Sequence, residues 1–378
     1  MTQENSDNQP PALAGIALRY PEKTFYLGQV FRDTTTSYKF LWFLALLSLI
    51  RRTNDCSLRL ANVLTEMATI AWHPVCFYRL SLGRLDTLQN MILEIKQRSG
   101  LAPNTSPEVI RKFIEETSEI RASLEYFKRH VPTRFLTPWF VDKLRGVQDH
   151  RRDRLIEELA KQSQETPFAS PYWFDGGFIR LNDSWRVFFV ENMAIVQAFS
   201  EYHFAHYLQA RNPNVPGVLN KLQAPTERQL TAAREFWRYV RADFENSSKL
   251  ERFRDIYSEQ TLGDSFAIDH FLPWSFVVHD LLWNLTPVEA TTNSKKGDLL
   301  PDLNIYLPRL AKLHFGALEV AKKRPKFLED YTDCFKEDVE SLLALGENGF
   351  MTKYREVIVP QAQIAINQGF QSGWRLRN

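Results

Sequence analysis

The sequence predicts a mainly α-helical protein with a small β-hairpin region and one inserted module of strand, loop, strand and helix. Three observations lead to this prediction. An apolar run at residues 40–50 and several helix start signals indicate a helical chain. β-Favouring aromatic residues flank Asn182-Asp183. Residues 266–298 combine short apolar runs with a compact set of polar side chains.

Length and composition limit the class of protein. A chain of 378 residues suggests two or three domains, or one large helical body with an inserted module. With 44% apolar and 13% aromatic residues, it can form a substantial core. The net charge of +2 argues against a protein that coats nucleic acid, so any contact with nucleic acid must depend on local basic patches. Three scattered cysteines and no recognisable signal peptide predict a cytoplasmic protein.

The N-terminal part is expected to be mostly helical. Residues 1–13 are polar and contain proline, and we interpret them as a disordered leader before a region at residues 14–225. The apolar run at residues 40–50 is too short to span a bilayer, so it predicts a buried helix, capped by the preceding Thr/Ser run. Further helices of this region are predicted at residues 56–72, 83–99, 107–129 and 191–210, with a β-hairpin at residues 173–190.

A proline-rich segment, residues 212–225, is the best candidate for a boundary between domains. After it, Thr226 and Gln229 predict a capping box at the start of a helix that ends near Phe244. This helix begins the second region, residues 226–378, which includes the inserted module at residues 264–300. The later helices of the second region are predicted at residues 303–322, 326–345 and 350–369.

The inserted module contains the side chains most suited to catalysis. Hydrolysis of a phosphodiester requires a base to deprotonate water and a divalent cation to neutralise charge on the phosphate. His270 can be the base, because an ordinary histidine pKa of about 6.5 leaves it largely neutral near pH 7. Asp269 supplies a carboxylate oxygen and Asn293 an amide oxygen, and Mg²⁺ prefers such ligands while it keeps several waters. Adjacent residues of a strand point to opposite faces, so this site requires the strand to end near His270, as Pro273 suggests.

The order Asp269-His270, Asn284, Asn293 resembles the HNH endonucleases, also called His-Me finger or ββα-metal nucleases. The similarity is greatest to the HNH domains of RNA-guided CRISPR nucleases and of phage junction resolvases. It implies an inserted ββα-metal (HNH) finger with a catalytic set of His270, Asn284 and Asn293. Within this set His270 is the general base, Asn284 bridges the loop that orients it, and Asn293 binds the metal together with Asp269. Other residues in matching places are Pro273, Ser275, Lys296 and Asp298.

The same resemblance indicates the metal. Colicin-type members have a further histidine where this chain has Gly297 and Asp298, so Mg²⁺ or Mn²⁺ is favoured over a transition metal. Many HNH proteins also carry paired CxxC motifs that bind a structural zinc. Such a zinc is not expected here, because the cysteines are far apart in the sequence: Cys56, Cys76 and Cys334.

We therefore expect a metal-dependent endonuclease that hydrolyses DNA and nicks one strand per active site. The alternatives are a nuclease acting on RNA or on structured nucleic acid, and a catalytically silent subunit that binds nucleic acid or a partner. The larger helical body resembles stand-alone HNH proteins of bacterial restriction and anti-phage defence loci, including the Zorya-type nuclease subunit. This resemblance is consistent with other subunits of a defence system as partners, and with an N-terminal region that recognises DNA or a partner, or restrains the nuclease. The predicted DNA contacts are Lys295, Lys296, Lys322, Lys323 and Arg324. A second basic cluster, residues 150–154, is expected to be a solvated helix face, with a phosphate-contacting patch as the alternative.

Two further histidine groups have a simpler explanation than metal binding. Glu201, His203 and His206 share one predicted helix and could bring two imidazoles onto one face. The aromatic residues around them favour a partly buried helix face instead. His73 has no partner at helical spacing, so we expect it to be a core residue.

Overall fold

The computed structural model describes residue 16, residues 18–53 and residues 55–377, which divide into two units. The leader predicted at residues 1–13 lies outside these described residues. The first unit extends to Asn212 and also includes Leu222–Ala224. The second unit consists of Pro213–Lys221 and the residues from Pro225 onward. The division therefore falls within the proline-rich segment at residues 212–225.

The first unit is mainly helical, with one small sheet. Its strands β1 (Ser57–Arg59), β2 (Tyr172–Asp175) and β3 (Phe178–Leu181) form an antiparallel sheet in the order β1-β3-β2. Its helices are α1 (Pro21–Leu27), α2 (Tyr38–Arg52), α3 (Leu60–Trp72), α4 (Thr87–Ser99), α5 (Pro107–Glu116), α6 (Ser118–Leu124), α7 (Val131–Arg134), α8 (Asp149–Ser163), α9 (Asp183–Glu191) and α10 (Met193–Arg211).

Helix α2 is the buried helix that the apolar run predicted. Most of its side chains are buried, and the indole of Trp42 donates to the hydroxyl of Tyr172 at 2.9 Å. The predicted Thr/Ser cap was wrong. Ser37 makes no side-chain cap, because its backbone is helical, with φ −69° and ψ −11°, and not extended as a capping residue requires. Its N–H is bonded to Asp86 Oδ2 at 2.7 Å. Among the described residues, no helix is both long and apolar enough to cross a membrane.

The β-hairpin is shorter than predicted. It turns at Gly176 and Gly177, which both have positive φ, as a tight two-residue hairpin turn requires. The strand ends at Leu181 because Asn182 acts as the N-cap of α9, and its side chain accepts the N–H groups of Ser184 and Trp185. The aromatic residues after Asn182 therefore lie on helix α9 and not on a second strand.

The second unit contains the inserted module. Its two strands, β4 (Ala267–His270) and β5 (Leu285–Val288), pair antiparallel. Its helices are α11 (Thr231–Asn246), α12 (Trp274–Val277), α13 (Ala290–Lys296), α14 (Leu303–Ala321), α15 (Glu329–Phe335), α16 (Val339–Ala344) and α17 (Gly346–Asn367).

Two predicted helices are broken, and α3, α4 and α11 start later than expected, at Leu60, Thr87 and Thr231. Residues 57–59 before α3 form strand β1. The helix at residues 107–129 is interrupted at Thr117, whose backbone is extended, and the helix at residues 326–345 is interrupted at Lys336, whose φ is positive. Helix α11 begins at Thr231 without the predicted capping box. The N–H of Gln229 is instead bonded to Asp280 Oδ2 at 2.6 Å. This bond connects the start of the second unit to the loop between β4 and β5.

Long-range hydrogen bonds from the helical core hold β5 and the loop before it. The indole of Trp237 on α11 donates to the carbonyl of Leu285 at 3.2 Å. The hydroxyl of Tyr354 on α17 donates to the carbonyl of Trp283 at 2.6 Å. All four residues are buried. The short sheet therefore depends on packing against α11 and α17, since an isolated pair of strands is marginal in water.

Candidate active site

Two short strands and a helix position the predicted residues. The register of β4 and β5 places Asp269 opposite Thr286, and His270 is the last residue of β4. Helix α13 follows β5 directly, and its extended N-cap residue Glu289 donates its N–H to Asp255 Oδ2 at 2.9 Å. The predicted order of strand, loop, strand and helix is therefore confirmed.

The carboxylate of Asp269 is buried and accepts a hydrogen bond at each oxygen. The hydroxyl of Tyr257 donates to Oδ2 at 2.7 Å, and the ammonium of Lys296 donates to Oδ1 at 3.1 Å. Lys296 also donates to the carbonyl oxygen of His270 at 2.7 Å. Burial, followed by the charge of Asp269, raises the pKa of Tyr257 well above its ordinary value, so the hydroxyl keeps the proton that it donates.

The imidazole of His270 points to a different partner. Its Nε2 atom lies 2.8 Å from Oδ1 of Asp280, and the other carboxylate oxygen accepts the N–H of Gln229. Its Nδ1 atom is buried and has no hydrogen-bond partner among the described residues. The ring therefore has one nitrogen fixed by a carboxylate and one nitrogen unused.

The charge state of Asp280 assigns the proton on this ring. Burial acts to raise the pKa of Asp280, but the hydrogen bonds from His270 and from the Gln229 N–H outweigh burial and lower the pKa below its ordinary value. An ionised carboxylate only accepts hydrogen bonds, so Nε2 of His270 must carry a proton. In the neutral ring Nδ1 then bears the lone pair. The neighbouring His279 stays neutral near pH 7, because burial, with repulsion from His270, lowers its pKa to about 4.

Asn284 closes the loop that follows His270. Its side chain accepts the N–H of Leu272 at 2.8 Å and donates to the carbonyl of the same residue at 2.9 Å. Its own carbonyl accepts the N–H of Phe271 at 2.8 Å. Asn284 is fully buried. These three bonds fix the backbone directly after the histidine, and within the described residues the side chain forms no hydrogen bond with Asp269 or with the ring of His270.

Asn293 lies on α13, beside β4. Its Nδ2 atom is 3.4 Å from the carbonyl of Ile268, the residue before Asp269, so the amide oxygen remains for another ligand. Asn293 and Lys296 are three positions apart and share one face of α13. Their face is the one turned towards Asp269, because Lys296 binds that carboxylate.

The predicted DNA contacts differ in exposure. Lys296 is buried with its ammonium on Asp269, and this position does not suit a phosphate contact. The other four, Lys295, Lys322, Lys323 and Arg324, are exposed. The guanidinium of Arg324 lies over the ring of Tyr239 at 4.1 Å. In the second basic cluster, at residues 150–154 of the first unit, Asp153 is bonded to Arg134 and His130.

Comparison with protein families identifies the module. The family model described as HNH endonuclease matches residues 254–302, a segment that contains β4, β5 and α13 with Asp269, His270, Asn284 and Asn293. This segment is an HNH endonuclease domain. Comparisons with curated proteins and with solved structures give no match.

The donor set of the HNH domain fits a hard divalent cation. Each oxygen of Asp269 has accepted one hydrogen bond and retains a second lone pair, and Asn293 has an amide oxygen to offer. Within the described residues, no group of three or more His, Cys, Asp or Glu side chains could hold a metal ion. Two oxygen ligands suit Mg²⁺, which keeps several waters and shares its shell with substrate phosphates. They do not suit a metal that requires a complete protein cage.

Three supporting residues of the HNH domain were missed by the sequence reasoning. Asp280 orients the histidine, and Tyr257 holds Asp269. Asp255 is buried and bonds the N–H groups of both Tyr257 and Glu289, at 2.8 and 2.9 Å. A carboxylate ten positions after a candidate base could have suggested Asp280, but the irregular loop between them gives no periodicity from which to infer a contact.

Proposed function

We propose that the HNH domain is a metal-dependent endonuclease that hydrolyses phosphodiester bonds of DNA, with His270 as the general base. The observation that carries this proposal is the state of the imidazole. Nε2 lies 2.8 Å from the carboxylate of Asp280, and Nδ1 is buried without a hydrogen-bond partner among the described residues. A general base needs a nitrogen that is free of protein hydrogen bonds and a ring held in a fixed direction. Nδ1 meets the first need within the described residues, and the contact with Asp280 meets the second.

Each residue has a defined part in the reaction. Nδ1 of His270 takes a proton from a water whose oxygen forms the new bond to phosphorus, while the bond to the 3′ oxygen breaks. The resulting imidazolium is stabilised by Asp280, and the departing oxygen gains its proton from solvent. Asn284 keeps the loop after His270 closed, so the ring does not turn away.

Asp269 and Asn293 would hold Mg²⁺ or Mn²⁺. Such a cation neutralises charge on the phosphate and on the leaving oxygen. Tyr257 and Lys296 keep the Asp269 carboxylate in one orientation before a cation arrives. This lowers the entropy cost of ordering the side chain when the cation binds.

One base and one pair of metal ligands imply that one HNH domain cuts one strand. We therefore expect supercoiled plasmid to be converted to open circles when Mg²⁺ is present. His270→Ala should leave the plasmid intact. Asn293→Ala should cut slowly and recover in part at higher metal concentration. Equal nicking by the wild type and His270→Ala would remove His270 from the mechanism, and parallel digests of RNA and of a four-way junction would identify a different substrate.

The biological role that we propose is defence against phage or restriction of foreign DNA. Its support is the resemblance to stand-alone HNH proteins of bacterial defence loci, and the first unit would then recognise DNA or a partner subunit. The test is the plating efficiency of phage on cells that express the wild type together with its neighbouring genes. Protection that persists with His270→Ala would show that cleavage is not its basis.

A further inference from the structure

A basic groove lies beside the last turn of α13. It has a volume of about 660 Å³ and is lined by Lys295 on the helix and by residues 373–377 from the other end of the unit. The charged residues of the lining are Lys295, Arg375 and Arg377, and none of the lining residues is acidic. The net charge of the whole chain is only +2, so this is a local concentration of charge.

The wall of the groove is held by backbone hydrogen bonds. The N–H of Leu300 donates to the carbonyl of Gln371 at 2.9 Å, and the N–H of Trp374 donates to the carbonyl of Leu300 at 3.0 Å. The N–H of Asp302 then donates to the carbonyl of Trp374 at 2.9 Å. These backbone hydrogen bonds form the pattern of a short parallel β-bridge between Pro301 and Trp374. The basic side chains therefore project from a fixed segment.

Two connections link the groove to the residues proposed to bind metal. Lys295 belongs to α13, the helix that carries Asn293. The ring of Trp374 packs edge-on against Tyr257 with 5.1 Å between ring centroids, and the Tyr257 hydroxyl binds Asp269. One helix and one aromatic pair thus connect the groove to the elements that carry both ligands.

The three cations are not equivalent. Arg375 donates twice to Asp302 Oδ2, at 2.9 and 2.7 Å, so its charge is neutralised and it fastens the segment. Lys295 and Arg377 are exposed and form no ion pair with any described residue. A lysine acts on phosphate as a point charge and an arginine can bind two of its oxygens, so each of these two residues is suited to a phosphate contact.

We propose that Lys295 and Arg377 bind the phosphodiester backbone of the nucleic acid strand beside the bond to be cut. The groove is thereby the surface that holds the polymer in register with His270, while Arg375 and Trp374 position it. This inference rests on the proposed function, since it assigns a part of the substrate to a surface of the same domain. Contacts to phosphate carry no sequence information, so the groove contributes affinity and not specificity.

The test measures binding separately from cleavage. All variants carry His270→Ala, divalent cations are removed with EDTA, and fluorescence anisotropy of a labelled DNA duplex is followed over a series of salt concentrations. Lys295→Ala with Arg377→Ala should weaken binding to every duplex sequence. It should also reduce the slope of log K against log salt by about 2, one for each phosphate that the variant no longer binds. The matched control removes two exposed lysines of the same unit, Lys249→Ala with Lys312→Ala, and should leave the slope unchanged.

The outcomes separate this inference from the proposed function. If the wild type nicks plasmid and the Lys295/Arg377 variant binds as its parent does, the groove assignment is overturned and the nuclease assignment stands. An equal loss in the lysine control would also overturn it, because the effect would then follow total charge. In a third outcome, the wild type cuts no substrate, whereas the Lys295/Arg377 variant, unlike the lysine control, loses DNA affinity and part of the salt dependence of binding. The groove is then a nucleic-acid surface, and the enzyme assignment fails.

Discussion

The ammonium of Lys296 lies 3.1 Å from Oδ1 of Asp269, and both side chains are buried. A buried carboxylate without a counter-charge is costly, so Lys296 stabilises the HNH domain in the absence of a metal ion. The same contact occupies one lone pair of the carboxylate that we propose as a metal ligand, and it places a positive charge beside the proposed cation. Lys296 is therefore both a support for Asp269 and a competitor for it.

Lys296→Met should expose this double role. Without a divalent cation it should lower the free energy of unfolding by about 3–5 kcal/mol, the usual cost of breaking a buried ion pair. Mg²⁺ or Mn²⁺ should restore part of this loss, because the cation replaces the missing charge. The measurement is thermal unfolding with and without metal. A metal-induced shift no larger than that of the wild type would contradict the competition, and Asp269→Asn in the same background should abolish the shift.

Asp280→Asn should reduce nicking on the order of 10²- to 10⁴-fold, the range that a lost base contributes. The amide can turn its NH₂ group towards Nε2, which would leave the proton on Nδ1 and remove the lone pair that water needs. The rate is measured on supercoiled plasmid at saturating metal. Asp264→Asn, a change at an exposed carboxylate of the same unit, serves as the control and should cut normally. Full activity of Asp280→Asn would show that another group orients the ring.

Asn284→Ala should mainly affect stability. It leaves the N–H and the carbonyl of Leu272 buried without partners, and each unsatisfied group costs about 1–3 kcal/mol. Urea unfolding measures the loss in the free energy of unfolding. The control is Asn304→Ala, at an exposed position in the first turn of α14, which should change the free energy of unfolding little. An unfolding midpoint equal to that of the wild type would mean that water replaces both bonds.

Lys221 gives a prediction for the dependence of stability on pH. Its ammonium is buried against the carbonyl of Phe276, and burial lowers its pKa to about 7. Between pH 7 and about 10.4 the unfolded chain holds a proton that the folded chain has released, so this residue makes stability rise with pH across that window. Below pH 7 the rise is absent, because both states are protonated.

The difference in unfolding free energy between the wild type and Lys221→Met isolates this effect, since buried thiols and phenols titrate equally in both proteins. The difference should shift in favour of the wild type by a few kcal/mol from pH 7 to pH 10, as about 1.4 kcal/mol accompanies each unit of pKa shift. A difference that is constant over this range would show that Lys221 is charged in the folded protein at alkaline pH.

The sequence predicted the elements of the site better than its contacts. Asp269, His270, Asn284 and Asn293 lie in one short segment whose residue types and spacing carry chemical meaning. Their strands and helix were placed correctly, because proline and apolar runs mark the ends of such elements. Lys296 was assigned to phosphate because its charge is visible in the sequence and its burial is not.

The errors elsewhere have local causes. The aromatic residues after Asn182 have β propensity, but the side chain of Asn182 bonds two N–H groups and starts a helix. Thr226 and Gln229 match a capping box, yet the N–H of Gln229 is taken by Asp280, a partner 51 residues away. Such long-range competition leaves no periodic signal in a single sequence.

The bond between Gln229 and Asp280 has a consequence for how this protein can change in evolution. Gln229 stands four residues after the proline-rich segment between the two units, and its partner holds the imidazole of His270. Lengthening or shortening the chain just before Gln229 would displace that amide and loosen the carboxylate that aims the ring. With His270 as the base that we propose, the spacing of this connector affects acid–base chemistry, and a change in its length should lower turnover more than the stability of the fold.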